Sequence, residues 1–281
     1  MSSLPKQAIV LAAGLGTRLR PLTLRIPKPA LPVGGAPILL YNLFLLKEAG
    51  VDRITLNLHH RPEVIRRLLD KGRPLGLKLG YSYEPKILGT AGGIAQALDG
   101  LDGSPTFILN GDILMDLDLK AMAAEHFRVG AQATLACVGK EKAPVTSFVE
   151  YDKLGRIWRI AGNPARIAKS SPPFEKGGSG GISPKSGPKL TSAIFSGAHL
   201  LDPKLFADYP RGRFGCIIRQ VYQPALERGE RLQAYSHRDA WWDLGTLEEL
   251  ARVDAALWRR DYPPAVLRLW QEVRRWSRNL L

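Results

Sequence analysis

The sequence predicts an α/β protein built on a doubly wound, mostly parallel (Rossmann-like) sheet, with a smaller antiparallel region and a C-terminal helix. Three observations support this prediction. Before residue 130, short apolar strands alternate with helical segments over short connections, as in parallel βαβ units. After residue 130, apolar strands lie close together around a turn, which is typical of antiparallel pairing. The C-terminal segment has the apolar spacing of an amphipathic helix.

Hydrophobic spacing defines the N-terminal elements in order. Residues 7–12 form an apolar strand, and residues 38–50 have helical spacing that ends in glycine. Further strands are predicted at 53–58, 77–83 and 106–109, and further helices at 62–69 and 92–98. Ligands bind at the carboxyl ends of strands in such sheets. Gly14, Gly92 and Asp112 follow strand ends or open a helix, so we expect them on one rim.

The C-terminal half is predicted to be more antiparallel, with strands at 132–138, 147–151 and 156–159, followed by an apolar segment at 190–200. Residues 170–189 are rich in glycine, proline and serine and have almost nothing to bury, which predicts a flexible insertion. It is either a lid over a site or, the interpretation we favour, an insertion without function. Residues 263–281 form a basic amphipathic helix that we expect to pack on the protein body or on a second subunit. Binding at a membrane surface is the alternative.

Composition narrows the functional classes. The chain has 281 residues and is 45% hydrophobic, enough for a large globular core. No apolar run approaches the roughly 18–20 residues of a membrane span, and no signal core precedes the first strand. We therefore expect a cytoplasmic protein without stable membrane insertion, with Cys137 and Cys216 as buried reduced thiols. The net charge of +14 comes without a nucleic-acid-binding motif, so we expect no nucleic-acid partner.

The most informative stretch is LAAGLGTRLRPLT at residues 11–23, followed by Pro-Lys-Pro at 27–29. Glycines let backbone N–H groups approach a phosphate, while Arg18 and Lys28 add a planar fork and a point charge. The run lacks the lysine of a Walker loop, and Leu19 occupies the place of the third glycine of a dinucleotide fingerprint. It predicts a nucleoside triphosphate site; the alternative is a tight turn with solvated cations.

Two aspartates follow apolar strands further along the chain. Asp112 ends the tripeptide Asn-Gly-Asp, and Asp243 lies in WWDLGT at 241–246, just before a helix. Carboxylate and phosphate oxygens are the ligands that Mg²⁺ prefers. Each aspartate taken alone is equally compatible with a turn or a helix-cap position.

Together these motifs resemble the signature of the sugar-1-phosphate nucleotidylyltransferases, or nucleotide-sugar pyrophosphorylases, LAAGxGTRLxPLT followed by PKP. The Phe-Ser-Gly segment at 195–197 and the compact C-terminal half look most similar to the mannose-1-phosphate guanylyltransferase and N-acetylmuramate-1-phosphate uridylyltransferase members. The resemblance implies the nucleotide-diphospho-sugar transferase type of fold. It also implies a nucleotidyltransferase domain at 1–258, with the basic amphipathic helix at 259–281.

The resemblance also implies the site residues. In the family the two aspartates hold the catalytic Mg²⁺, so the expected catalytic set is Arg18, Lys28 and the metal ligands Asp112 and Asp243. The LGTAGG segment at 88–93 resembles one that contacts the nucleotide in relatives, although its glycines also suit a close-packing turn. The expected nucleotide-binding residues are Leu11, Ala12, Ala13, Gly14, Gly16, Thr17, Arg18, Glu84, Thr90 and Gly92. The expected sugar-binding residues are Asn163, Ser196 and Gly197.

The acceptor pocket departs from the family pattern. Many relatives carry Glu-Lys-Pro where this chain has IAGNP at 160–164, so two charged side chains are missing. We expect a nucleoside triphosphate and a sugar 1-phosphate as substrates, in the first place GTP and mannose 1-phosphate. The sequence leaves open UTP with N-acetylmuramate 1-phosphate or another sugar 1-phosphate, a cytidylyltransferase for a phosphorylated alcohol, and a non-catalytic regulatory homologue. Homo-oligomerisation is also left open.

Overall fold

A computed structural model of the chain describes residues 4–70, 76–139, 148–161, 189–237 and 240–278. The strands in these ranges are β1 (Gln7–Leu11), β2 (Pro32–Val33), β3 (Ala36–Pro37), β4 (Arg53–Leu58), β5 (Lys78–Tyr83), β6 (Thr106–Asn110), β7 (Ile113–Met115), β8 (Ala133–Val138), β9 (Phe148–Tyr151), β10 (Ile157–Ala161), β11 (Thr191–Leu201), β12 (Leu232–Ser236) and β13 (Trp241–Asp243). The α-helices are α1 (Ile38–Glu48), α2 (Pro62–Asp70), α3 (Gly89–Leu98), α4 (Leu119–Val129), α5 (Gln223–Glu227), α6 (Leu247–Arg259) and α7 (Pro264–Ser277).

Within the described residues the central sheet has nine strands, in the order β10-β9-β11-β6-β1-β4-β5, with β8 joined to β11 and β12 joined to β8. Strands β6, β1, β4 and β5 are parallel. The pairs β11–β6, β11–β8, β11–β9 and β9–β10 are antiparallel. The predicted fold class is therefore confirmed. The antiparallel region is continuous with the parallel one, because the 11-residue strand β11 pairs with both β6 and β9.

Both faces of the sheet are covered, as a parallel sheet requires. On β1, Ala8 and Val10 point into a core that includes residues of α1 and α7. Ile9, between them, points into a second core that includes residues of α3 and α5. This two-sided burial explains why β1 is a continuous apolar run instead of an alternating one.

The C-terminal helix α7 packs on the body of the protein, as the first interpretation of its sequence predicts. Leu269, Trp270 and Val273 are buried in the core shared with α1. The indole Nε1 of Trp270 donates a hydrogen bond to the carbonyl of Gly34 at 2.8 Å. In the described ranges every helix is too short or too polar to cross a membrane.

Several details differ from the predictions. Helix α3 begins at Gly89 instead of residue 92, and α4 and β12 were not predicted. Both cysteines are free, but only Cys137 is buried, whereas Cys216 is partly exposed. The insertion at 170–189 lies outside the described residues except for Lys189.

Among the buried histidines, two beside the sheet have a pKa that burial lowers. His199 on β11 is hydrogen-bonded through Nδ1 to the hydroxyl of Tyr222, and burial lowers the pKa of His199 to about 3. His126 on α4 is hydrogen-bonded through Nδ1 to Oγ1 of Thr134 at 3.0 Å, and burial lowers its pKa to about 4. Both imidazoles are therefore neutral in the folded protein at neutral pH.

We predict that acid destabilises the protein through these two histidines. An unfolded histidine has a pKa of about 6.5, so below that pH the unfolded chain binds protons that the folded chain excludes. Their stabilisation is complete above about pH 6.5 and is lost as the pH falls towards 4 and 3. From pH 8 to pH 5 the two groups should lower the free energy of unfolding by about 4 kcal/mol, measurable by urea unfolding. His126→Gln should show about half of this pH dependence; an unchanged pH dependence in that variant would contradict the assignment.

Candidate active site

A cleft of about 400 Å³ opens where β1, β4 and β6 end. The strands are parallel, so their carboxyl ends meet at the same edge of the sheet. Of the predicted nucleotide-binding residues, all except Gly92 line this cleft. Arg18, Lys28 and Asp112 line it as well, and Asp243 contacts two of them from the rim.

Lys28 lies between the two predicted metal ligands. Its Nζ is 2.7 Å from Oδ2 of Asp112 and 3.5 Å from Oδ1 of Asp243. The two aspartates are neighbours because β7, which follows Asp112, pairs antiparallel with β13, with Ile113 opposite Asp243. The Lys28 side chain is only 7% exposed, whereas those of Asp112 and Asp243 are 34% and 45% exposed. Asp112 therefore faces both the buried ammonium and the cleft, and Asp243 faces the ammonium from the exposed rim.

Arg18 lies at the open side of the same cluster. Its Nη2 is 3.9 Å from Oδ2 of Asp243, and its side chain is 65% exposed. A Cβ atom on Gly245 would lie 2.6 Å from Nη2 of Arg18, so a side chain at 245 would displace the guanidinium from this position. The turn before Arg18 is held by Gly16, which has φ +60° and accepts a hydrogen bond from the Thr23 hydroxyl at 2.8 Å.

The donor set at this point fits a divalent cation with hard ligands. Two carboxylates converge on a single cationic atom, the Nζ of Lys28. Among the described residues, no group of three or more His, Cys, Asp or Glu side chains is arranged to hold a metal ion. Mg²⁺ typically takes one or two carboxylates and completes its shell with water and substrate phosphates, which matches this pair.

Sequence reasoning missed Asn57. It is 3% exposed, lines the cleft at the end of β4, and its Oδ1 accepts a hydrogen bond from the Ala12 N–H at 2.7 Å. Its signal was an amide between two leucines, Leu56 and Leu58, near the carboxyl end of a strand. Glu84 is fully buried, and its two oxygens accept hydrogen bonds from Asn57 and from the Leu88 N–H. Its predicted role in nucleotide binding stays a prediction.

The LGTAGG segment packs against a distant stretch of backbone. Gly215 donates to the Leu88 carbonyl and accepts from the Ala91 N–H, both at 2.9 Å. Thr90 lines the cleft, but its Oγ1 accepts a hydrogen bond from the Ile217 N–H at 2.8 Å. A Cβ atom on Gly92 would lie 2.3 Å from the Arg213 carbonyl oxygen. Gly92 therefore faces protein backbone and not the cleft, because this close approach excludes any side chain.

Of the predicted sugar-binding residues, the two that the structure describes, Ser196 and Gly197, do not line the cleft. Asn163 lies outside the described residues. Ser196 is fully buried, and its hydroxyl donates to the Ala136 carbonyl at 3.0 Å. Gly197 has φ +87°, and a Cβ atom there would lie 2.6 Å from Nδ2 of Asn110, which does line the cleft. The structure thus brings Gly197 next to the cleft and directs Ser196 into the core.

The sequences of two related proteins align with most of this chain. It is 31% identical over 262 residues to a mannose-1-phosphate guanylyltransferase of Mycobacterium tuberculosis, covering 93% of this chain and 67% of that protein. It is also 31% identical over 243 residues to a mannose-1-phosphate guanyltransferase of Schizosaccharomyces pombe, covering 85% of this chain and 61% of that protein. The chain thus spans about two thirds or less of the length of these relatives.

A solved structure and a family profile agree with these sequence similarities. The crystal structure of HddC from Yersinia pseudotuberculosis complexed with GMP-PN has a TM-score of 0.69 and 24% sequence identity, and the match covers 89% of this chain and 99% of that one. The sequence profile of the nucleotidyl transferase family matches residues 7–259. This chain belongs to the nucleotidyl transferase family.

Proposed function

We propose that this protein is a sugar-1-phosphate nucleotidylyltransferase that uses GTP and mannose 1-phosphate to make a nucleotide sugar and pyrophosphate. The observation that supports the reaction best is the contact of Lys28 with both Asp112 and Asp243 beside a small-residue loop at the strand ends. Family membership supports nucleotidyl transfer. The names of the relatives at 31% identity support guanosine and mannose as the specific groups.

The reaction sets a problem of charge. An oxygen of the sugar phosphate attacks the α-phosphorus, the bond to the β-phosphate bridging oxygen breaks, and pyrophosphate leaves in line. The attacking oxygen is already anionic at neutral pH, so no general base is needed. The barrier arises from bringing two polyanions together and from the charge that develops in the transition state, so catalysis rests on positioning and electrostatic stabilisation.

The cations of the cleft address this problem in different ways. Lys28 is held by surrounding carboxylates and presents a fixed charge, which suits the α-phosphate or the incoming phosphate. Arg18 is more exposed and makes only a 3.9 Å contact, so its guanidinium is available to the departing pyrophosphate. Asp112 and Asp243 would hold Mg²⁺ together with phosphate oxygens. When bound, that ion would supply positive charge to the triphosphate.

We predict that GTP with mannose 1-phosphate gives the highest kcat/KM in a substrate panel. The panel tests GTP, UTP, CTP and ATP, each with mannose 1-phosphate, glucose 1-phosphate, N-acetylmuramate 1-phosphate and glycerol 3-phosphate, and measures pyrophosphate release. A best rate with UTP or with CTP and the alcohol phosphate would replace the proposed substrates. Pyrophosphate release with none of the pairs would favour a regulatory homologue.

We predict that Arg18→Ala, Lys28→Ala and Asp112→Ala each lower kcat by about 10²–10³ with the fold intact, because each removes a preorganised charge. Pyrophosphorolysis rates and circular dichroism spectra check the two parts of this prediction. Lys204→Ala is the matched control, because that side chain is 86% exposed and pairs with Asp202 away from the cleft. If one of the three variants keeps near-wild-type pyrophosphorolysis, the residue that it replaces has no part in the mechanism.

We predict that a chelator abolishes turnover and that added Mg²⁺ restores it. Asp243→Asn should raise the Mg²⁺ concentration needed for half-maximal rate by about 10-fold or more, because one anionic ligand becomes a neutral amide. Titration of initial rates with MgCl₂ measures this shift. Full activity in the presence of EDTA would exclude the proposed metal site.

A further inference from the structure

A side-chain amide continues the hydrogen bonding of β1 beyond its last residue. Leu11 ends β1 and lies opposite Asn57 of the parallel neighbour β4. The next residue, Ala12, donates its N–H to Oδ1 of Asn57 at 2.7 Å. The first residue of the small-residue loop is therefore still tied to the sheet, although it has left the strand.

A buried carboxylate fixes the orientation of that amide. Glu84 directly follows β5 and is fully buried. Its Oε1 accepts from Nδ2 of Asn57 at 2.7 Å, and its Oε2 accepts from the Leu88 N–H at 2.8 Å. The NH₂ group is the only donor of the Asn57 side chain, and it lies against Oε1 of Glu84. The oxygen of Asn57 must then face Ala12.

The side chains of Asn57 and Glu84 have room to meet because residue 93 of helix α3 is a glycine. A Cβ atom on Gly93 would lie 2.6 Å from both Nδ2 of Asn57 and Oε1 of Glu84. Each partner is also costly to remove, because a buried polar group without a hydrogen bond costs about 1–3 kcal/mol. The hydrogen-bonded chain links three segments that border the cleft: the loop after β1, the end of β4 and the start of α3.

We propose that Asn57 and Glu84 form a positioning pair, which sets the backbone that begins at Ala12 for the nucleoside triphosphate. This inference rests on the proposed function. A displacement of about 1 Å in a reacting geometry can lower a rate by about 10². The pair acts through the loop backbone, at a separate place from the cluster of Lys28 and its aspartates.

The pair can be tested by exchanging the positions of its amide and its carboxylate. Asn57→Asp would place two carboxylates in contact, and Glu84→Gln would leave an amide NH₂ group facing either Asn57 or the Leu88 N–H. Each single variant should lower kcat/KM for the triphosphate by about 10–100-fold, with the KM for the sugar phosphate unchanged. In the double variant Asn57→Asp/Glu84→Gln every donor again meets an acceptor, so it should recover about tenfold or more over either single variant.

The matched control is Gln7→Glu, at the opposite end of β1. Gln7 is 2% exposed, and its Nε2 donates to the Ser104 carbonyl and to Oγ1 of Thr106, both at 3.0 Å. This amide-to-carboxylate exchange should lower Tm but leave the KM for the triphosphate unchanged. The same loss of kcat/KM in Gln7→Glu as in the single variants would reduce the pair to a purely structural role and overturn the inference.

The remaining outcomes separate this inference from the proposed function. Wild-type-like kcat/KM in both single variants, or a double variant no better than either one, overturns the positioning pair alone. Wild-type protein that neither binds any of the four triphosphates by calorimetry nor releases pyrophosphate overturns the proposed function, and the inference with it. A loss of kcat/KM in both single variants, with recovery in the double variant, supports the positioning pair.

Discussion

The ion cluster of Lys28, Asp112 and Asp243 is the constraint on which the site depends. An ammonium group that is only 7% exposed would be costly to desolvate without counter-charges, and two carboxylates supply them. Each carboxylate needs the ammonium in turn, because β7 and β13 hold the two close together. The cluster thus ties three distant segments of the chain at the end of the sheet. Removal of Lys28 leaves two uncompensated carboxylates at the place where a polyanionic substrate would bind, whereas removal of either aspartate leaves the ammonium with a single counter-charge.

The segment around Lys28 is braced from the far end of the chain. Proline on each side of Lys28 limits the backbone there, and the hairpin of β2 and β3 follows directly. Gly34, in that hairpin, donates its N–H to Asp254 on α6 at 2.7 Å and accepts from Trp270 on α7 at 2.8 Å. The C-terminal helices therefore contribute to the site indirectly, by holding the hairpin next to Lys28. The apolar faces of these two helices therefore serve to support the hairpin of the same chain.

The two glycine-rich segments of the chain serve different purposes. Gly14 and Gly16 lie in the loop that lines the cleft; a Cβ atom on Gly14 would have no neighbour within 4 Å, which leaves space for a ligand, whereas one on Gly16 would lie 2.8 Å from Cγ2 of Thr23. Gly92 and Gly93 make space for protein groups, the Arg213 carbonyl and the pair of Asn57 and Glu84. Both segments suggest phosphate or nucleotide contact when only composition is considered. The distinction depends on what lies opposite each missing Cβ atom, which only the folded chain shows.

The sequence by itself determined the parallel strands, the cation-bearing loop and the two aspartates. Continuous apolar runs identify strands that are buried on both faces, and the residues after them must lie at the carboxyl edge. Only the tertiary structure decided that Lys28 bridges the aspartates, that Ser196 faces the core and that Asn57 holds the loop. The contacts of Lys28 join residues 84 and 215 positions apart, and that of Asn57 joins residues 45 positions apart. Local spacing carries no information about such contacts, because they depend on which strands pair and which loops then meet.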